Sequence, residues 1–193
     1  MREGDDLYFV PGVPFSAVDL LNPALAQQYE ARIVGFYLDP ARLCIHHGHA
    51  FAAGLLLVSA IDFMAGLHHS AQAIEHRRTV GSDFCGFVRQ NLESFRSDNL
   101  ANSLYSDFRN GLSHEARIKK GGEFSFNWRH TIREFGGRLC INPAYLLKEV
   151  ESAVSQRLSE LRTDAAFRAQ AAERLRIQFA KEFQVTDRLR RAV

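Results

Sequence analysis

Residues 43–61 read LCIHHGHAFAAGLLLVSAI and contain no Asp, Glu, Lys or Arg. A run of this composition predicts a helix that is apolar on most of its surface, and we place it within a helix over about 41–67. A membrane span needs about 20 predominantly apolar residues, but histidines and glycines interrupt this run and Asp62 follows it. Because an acid at membrane depth is costly, we interpret the segment as the core helix of a helical bundle and expect no membrane association.

The chain before this run is predicted to hold an arm and one helix. Residues 1–21 mix glycine and proline with apolar residues, which predicts an irregular N-terminal arm. Asn22-Pro23 is a helix-start signal, because asparagine caps the first turn and proline suits the first helical position. We predict a helix from there to Leu38, where Asp39-Pro40 ends it and begins the next one.

Two amphipathic helices are predicted after the apolar run. Residues 70–81 carry several charges and are expected to form a solvated connection, after which Ser82 caps a third helix. A fourth helix follows Asp98 or Asn99, and Gly111 predicts that it ends near Asn110. Its apolar residues recur every four positions, at Leu100, Leu104, Phe108 and Leu112.

The pattern then changes to that of a small β-hairpin within residues 123–141. Phe124 and Phe126 alternate with polar residues, and residues 138–141 form a second short extended run. Asn142-Pro143 begins another helix by the same signal as Asn22-Pro23. These patterns predict a mainly α fold: a helical bundle with a small hairpin and a C-terminal helical extension.

The charge balance limits how the chain can bind nucleic acid. Lys and Arg number 24 and Asp and Glu 22, a formal net charge of +2, so any such binding needs a local patch. We divide the chain into a helical domain over 22–163 and a basic C-terminal helix over 164–193. Residues 162–193 hold eight basic and four acidic residues. These basic residues belong either to an arm that faces RNA or a protein partner, or to the solvated side of an amphipathic helix.

The cysteines and histidines point to no disulfide framework and no metal. Three cysteines with no CxxC spacing predict a reducing compartment, and we expect a cytoplasmic protein. The N-terminal residues show no secretory signal pattern. His46 and His49 could share a helix face, but no HExxH motif or nearby carboxylate completes a ligand shell, so no metal or other cofactor is expected.

Residues 104–114, LYSDFRNGLSH, carry the groups needed to cleave RNA without a metal. The imidazole of His114 can take the 2′-hydroxyl proton or, when protonated, give one to the leaving oxygen. The guanidinium of Arg109 can stabilise the phosphate that gains charge. The amide of Asn110 can orient either partner. We therefore predict Arg109, Asn110 and His114 as catalytic residues.

The spacing of these residues limits how they can cooperate. At ~100° per residue, Arg109 and His114 lie ~140° apart on a continuous helix, whereas Asn110 and His114 share a face. Two arrangements could bring Arg109 and His114 together. Gly111 could break the helix so that His114 folds back, or two copies of the segment could meet across a two-fold axis.

The segment RNGLSH resembles the motif of the HEPN superfamily, which has Arg, a polar residue, three to five further residues and then His. The apolar helix that carries residues 56–62, LLVSAID, is similar to the long helix preceding the motif in those proteins, and the resemblance covers roughly residues 40–160. It implies an α-helical bundle, a homodimer across the motif helices, and often metal-independent cleavage of RNA. Many such proteins act in toxin–antitoxin or phage-defence systems, some with an antitoxin or nucleotidyltransferase partner. Others are catalytically silent modules that bind a nucleotide or a partner protein.

The site residues also have purely structural interpretations. Arg109 could be a surface ion-pair partner of Asp107 or Glu115, and His114 could be favoured at a helix C-terminus by the dipole. Asp62, flanked by apolar residues, either pairs with Arg109 or a protonated His114 or faces water at a helix end. Ser59 lies three residues before Asp62 on the same face, and we take both as auxiliary candidates.

Overall fold

The computed structural model describes residues 2–3, 6–10, 12–20, 24–67 and 80–183, and the fold is mainly α, as predicted. Two helical stretches have π-type hydrogen bonding, Val34–Leu38 and Leu104–Arg109. The α-helices are α1 Ala24–Ile33, α2 Asp39–His46, α3 Ala50–Leu67, α4 Val80–Asn91, α5 Asp98–Ser103, α6 Asn110–Glu115, α7 Pro143–Thr163 and α8 Ala165–Gln178. The strands are β1 Arg2–Glu3, β2 Asp6–Val10, β3 Val13–Pro14, β4 Glu123–Phe124, β5 Ile132–Phe135 and β6 Arg138–Ile141. The signal Asn22-Pro23, the connection at 70–79 and the chain after 183 lie outside the described residues.

The chain forms two compact units, and the first comprises residues 1–36 and 156–193. Its N-terminal part is an antiparallel sheet in the order β1-β2-β3, so the predicted irregular arm is wrong. Gly12 has a φ of +79°, and this left-handed residue turns β2 back onto β3. Gly12, one of the residues that suggested irregularity, therefore lies at a turn between two strands.

Aromatic packing and a helix cap organise the rest of this unit. Phe9 is fully buried, and its ring meets those of Phe15 and Phe179 edge-on, at 5.6 and 5.9 Å between centroids. The guanidinium of Arg32 lies 5.0 Å from the Phe9 ring centroid. The Asp164 carboxylate accepts hydrogen bonds from the first backbone N–H groups of α8, which confirms that the last helix begins there.

The second unit comprises residues 37–155, and α3 supplies much of its core. Residues Leu57, Ile61 and Met64 of α3 are fully buried. In the described part of the chain α3 is the one helix long and apolar enough to cross a membrane, and 61% of that apolar window is buried within the structure. Such burial is typical of a core helix.

The long helix predicted over 41–67 is two helices with a corner between them. α2 ends at His46, and α3 begins at Ala50. Gly48 has a φ of +75°, a left-handed conformation that ends an α-helix. The predicted boundary at Asp39-Pro40 is matched by the start of α2 at Asp39, but Leu38 keeps helical angles, so the chain enters α2 without leaving a helical conformation. The π-type turn at Val34–Leu38 precedes Pro40, whose ring and missing N–H interrupt ordinary helical bonding.

The motif helix, residues 98–115, is formed by α5, the π-type segment Leu104–Arg109 and α6. The Ser97 hydroxyl accepts the N–H of Leu100 at 3.3 Å and caps its start. The predicted end near Asn110 is wrong, because the helix continues to Glu115 and closes at Ala116 with a φ of 53°. Gly111 is buried inside the helix, where a Cβ would overlap the backbone carbonyl of Arg117. Glycine is needed here for close approach of the following loop.

The second sheet has the order β4-β6-β5 and differs from the predicted hairpin. β5 and β6 form the hairpin around Gly136-Gly137, whose φ values are +58° and +73°. β4 pairs with β6 in parallel. Phe124 of β4 packs on α3 at Gly54, where a Cβ would overlap its ring. The predicted start of α7 is confirmed, since the Asn142 Oδ1 accepts the N–H of Ala144 at 2.9 Å.

Candidate functional site

Arg109 and Asp62 form an ion pair between the motif helix and α3. The distance between Arg109 Nη2 and Asp62 Oδ2 is 2.9 Å, and the side chains are 17% and 24% exposed. Of the two alternatives for Asp62, the pair with Arg109 is therefore the correct one. Since an acid on an apolar helix needs a cation when it is largely buried, the pair also explains why α3 can carry Asp62.

Further contacts hold the Arg109 guanidinium in place. Its Nη1 donates to the Asn110 Oδ1 at 3.1 Å, and its carbon lies 5.9 Å from the Tyr105 ring centroid. Its Nε is buried and has no hydrogen-bond partner among the described residues. A guanidinium carries five N–H donors, so the bonds to Asp62 and Asn110 leave donors that a phosphate oxygen could accept from.

His114 lies in the last turn of the motif helix and is exposed. It follows Asn110 by four residues in α6, so the two share a helix face as predicted. Because Gly111 does not break the helix, His114 does not fold back towards Arg109, and that arrangement is wrong. Convergence across a two-fold axis stays a prediction. A basic side chain is favoured in the last turn, because the C-terminal end of the helix dipole is negative.

The two acidic residues near Arg109 in the sequence, Asp107 and Glu115, bind other cations. Asp107 accepts from the Ser106 hydroxyl at 2.9 Å and lies 3.2 Å from the Lys120 Nζ. Glu115 binds Lys119 at 2.6 Å and Arg117 at 2.7 Å, and hydrogen bonds from these two cations lower the pKa of Glu115. The ion-pair interpretation of Arg109 with Asp107 or Glu115 is therefore wrong.

A basic loop follows the motif helix, formed by residues 116–120 with the sequence ARIKK. It places Arg117, Lys119 and Lys120 next to the end of the helix that carries His114. The local positive charge predicted from the sequence lies in residues 162–193 and does not include this loop. The signal that could have found it is three cations within four residues directly after the motif.

The auxiliary and metal candidates contribute less to this site. The Ser59 hydroxyl donates to the Leu55 carbonyl at 2.8 Å within α3, and the structure does not bring it to Arg109. The rings of His46 and His47 lie 5.0 Å apart, and those of His47 and His49 6.3 Å apart. Over the described ranges, no group of three or more His, Cys, Asp or Glu side chains could hold a metal ion.

No family model matches the chain, and comparisons with curated proteins and with solved structures give no match either. The proposed function therefore rests on the chemistry of the site. That chemistry combines a fixed guanidinium with an adjacent amide and an exposed imidazole on one helix. A basic loop follows them directly in the chain.

Proposed function

We propose that this protein is a HEPN-type, metal-independent endoribonuclease that acts as a homodimer. The observation that carries the proposal is the ion pair that fixes Arg109 against Asp62, on the helix that presents the exposed His114. A preorganised cation aimed at developing charge and an imidazole that exchanges protons are what cleavage of a phosphodiester requires.

The reaction would use the 2′-hydroxyl of RNA as the nucleophile. A neutral His114 imidazole takes the 2′-hydroxyl proton as the oxygen attacks phosphorus, and Arg109 stabilises the charge on the phosphate oxygens. The bond from phosphorus to the 5′-oxygen breaks, and a protonated imidazole gives that oxygen a proton. The products are a 2′,3′-cyclic phosphate and a free 5′-hydroxyl. DNA lacks the 2′-hydroxyl and should survive intact.

The homodimer would supply the second imidazole. One protomer offers one His114, whereas an acid and a base are both needed. α2 and α3 expose large apolar side chains that a second copy could cover, namely Leu43 at 60%, Phe51 at 49% and Leu55 at 38% exposure. With one imidazole acting as base and its two-fold mate as acid, the rate is bell-shaped in pH.

The cellular setting follows from the resemblance to HEPN proteins. Cleavage of RNA by a cytoplasmic protein suits a toxin of a toxin–antitoxin or phage-defence system. An antitoxin, including one of the nucleotidyltransferase type, would then be the protein partner.

A second candidate function is a non-catalytic HEPN-type module that binds RNA, a nucleotide or a partner protein. The contact between Arg109 and Asp62 favours a module without catalysis, because the carboxylate offsets the positive charge that would otherwise stabilise the transition state. In this case His114 would serve only the end of its helix.

Incubation of the purified protein with mixed RNA in EDTA separates the two candidates. We expect wild-type protein to yield 2′,3′-cyclic phosphate ends and His114→Ala to yield none. His130→Ala, which removes an exposed histidine outside the motif, is the matched control and should cleave like wild type. RNA binding without cleavage by the wild type would establish the module instead. Activity that disappears in EDTA, or products with 5′-phosphates, would overturn the mechanism.

A further inference from the structure

Three exposed histidines lie close together at the corner between α2 and α3, which the proposed cleavage site does not use. They belong to residues 46–49, HHGH, a segment that we call the histidine corner. The ring centroids of His46 and His47 lie 5.0 Å apart, and those of His47 and His49 lie 6.3 Å apart. Within the described part of the chain these three side chains make no hydrogen bond or ion pair, so their ring nitrogens are available to a ligand.

Backbone hydrogen bonds hold the histidine corner in one conformation. Gly48 has a φ of +75°, and its N–H donates to the Ile45 carbonyl at 3.1 Å. The N–H of His49 donates to the Cys44 carbonyl at 2.8 Å. These are the two bonds of a Schellman motif, which closes the end of an α-helix. His47 and His49 therefore leave the chain from fixed positions on either side of Gly48.

The charged residues of α2 add no excess positive charge beside the histidine corner. The helix carries one arginine, Arg42, and its guanidinium pairs with Asp39 at 2.6 Å and with Glu151 at 2.5 Å. Two carboxylates against one guanidinium leave a net negative charge in this cluster. The cluster therefore does not repel a cation that binds to neutral imidazoles.

The ligands at the corner determine which class of metal suits it. Neutral imidazole nitrogens suit zinc and its neighbours in the first transition row, whereas magnesium and calcium prefer oxygen ligands. A structural zinc site takes four ligands in a tetrahedron. Over the described ranges no group of three or more His, Cys, Asp or Glu side chains could hold a metal ion. One chain therefore supplies two of the four ligands that zinc needs.

Exposed apolar side chains flank the histidine corner on both of its helices. Leu43 of α2 is 60% exposed, and Phe51 and Leu55 of α3 are 49% and 38% exposed. This is the surface that the proposed homodimer would cover. A two-fold interface uses the same patch on both copies, so an axis through this patch places one histidine corner opposite the other.

We propose that two histidine corners share one zinc ion across the two-fold axis, with His47 and His49 of each copy as its four ligands. These two residues lie outside both helices, whereas His46 belongs to the last turn of α2. The backbone bonds of the corner reduce the ordering that ligation costs. The ion strengthens the proposed homodimer, on which this inference rests, and takes no part in the cleavage chemistry.

Zinc titration of the full chain, without an added histidine tag and after treatment with EDTA, tests the proposal. Calorimetry should give one ion per two chains, and Co²⁺ in place of zinc should show the visible absorption of a tetrahedral site. His47→Ala and His49→Ala should each weaken zinc binding at least tenfold. His46→Ala is the matched control, because it removes the neighbouring imidazole of the same corner, and it should bind zinc like wild type. Thermal melts of the three variants check that folding is retained.

Sedimentation in zinc and in EDTA measures the effect on assembly. Zinc should lower the dissociation constant of the wild-type dimer at least tenfold and should leave that of His47→Ala unchanged. RNA cleavage separates this inference from the proposed function, because His47→Ala should cleave like wild type in EDTA. A protein that binds zinc between two chains but cleaves no RNA would retain the zinc site and lose the nuclease.

The proposal is overturned if zinc does not bind at micromolar concentration, if each chain binds its own ion, or if zinc leaves the dimer unchanged. Equal loss of zinc binding in His46→Ala and His47→Ala would overturn the choice of ligands. A wild-type protein that remains a monomer in both zinc and EDTA would overturn the shared site together with the homodimer, whatever its activity on RNA.

Discussion

Arg109 and Asp62 lie in an environment between water and core, and this position sets the energy of their ion pair. Exposed pairs contribute about 0–1 kcal/mol, whereas breaking a buried pair costs about 3–5 kcal/mol. With side chains 17% and 24% exposed, an intermediate value is expected. The pair is thus a structural bond between α3 and the motif helix as well as a candidate for catalysis.

A double-mutant cycle on Arg109→Ala and Asp62→Asn should give a coupling free energy of about 1–2 kcal/mol. Each single variant breaks the same bond, so the second change costs less once the first is present. Urea unfolding of the four proteins measures the coupling. The exposed pair of Glu115 and Arg117 is the control and should couple by less than about 1 kcal/mol. Additive effects at Arg109 and Asp62 would show that the bond contributes nothing to folding.

The three cysteines should differ in reactivity with a thiol reagent near neutral pH. Burial raises the pKa of the Cys85 thiol, and burial together with the nearby Glu123 raises that of Cys140. A raised pKa means less thiolate, the form that reacts. Cys44 is partly exposed and should be alkylated first, which mass spectrometry of timed samples detects. Modification of Cys85 ahead of Cys44 would contradict the burial seen here.

At the scale of elements, Gly111 shows how a neighbouring loop determines a residue choice inside a helix. In an exposed helix interior, replacing glycine by alanine stabilises by about 0.5–1 kcal/mol. At Gly111 the added Cβ would overlap the backbone carbonyl of Arg117. Arg117 is held in place because its backbone N–H donates a hydrogen bond to the Gly111 carbonyl. The motif helix and the basic loop are therefore packed at a distance that only glycine allows.

Gly111→Ala should accordingly lower the free energy of unfolding by about 1–3 kcal/mol, the usual cost of overpacking. Gly86→Ala in α4 is the matched control, because its Cβ would meet nothing within 4 Å, and it should be neutral or stabilising. Chemical denaturation of the two variants beside wild type measures both effects. Equal stabilisation by both substitutions would show that the loop can move away from the helix.

At the scale of the whole molecule, the proposed homodimer makes the most direct prediction. Sedimentation equilibrium at micromolar concentration should give about twice the chain mass of 21.8 kDa, because specific interfaces persist at that concentration. Phe51→Glu places a charge among the exposed apolar side chains of α2 and α3 and should give a monomer that keeps the helical circular dichroism spectrum of the wild type. Phe135→Glu, at another exposed aromatic residue, is the control and should remain a dimer. A wild-type monomer would contradict the two-fold site.

Local signals in the sequence determined the helices and several of their ends. The cap at Asn142 and the apolar periodicity of the motif helix depend on neighbouring residues alone, so the sequence predicted them correctly. The need of Asp62 for a cation also follows from its apolar flanks. The sequence does not determine whether Arg109 or His114 supplies that cation, because distance along the chain does not fix which side chain reaches α3.

Only the tertiary structure decided the features that depend on a distant partner. A glycine can end a helix, turn a corner or admit a close neighbour, and the sequence around Gly48 and Gly111 is compatible with each. At Gly111 the deciding neighbour is the Arg117 carbonyl, and Phe124 packs on Gly54 of α3 while its strand pairs with β6 in parallel instead of forming the predicted hairpin. A cavity beside Asp107 arises in the same way. Its wall joins residues up to 40 positions apart, from Asn99 to Leu139, which come together only when the hairpin packs beside the motif helix.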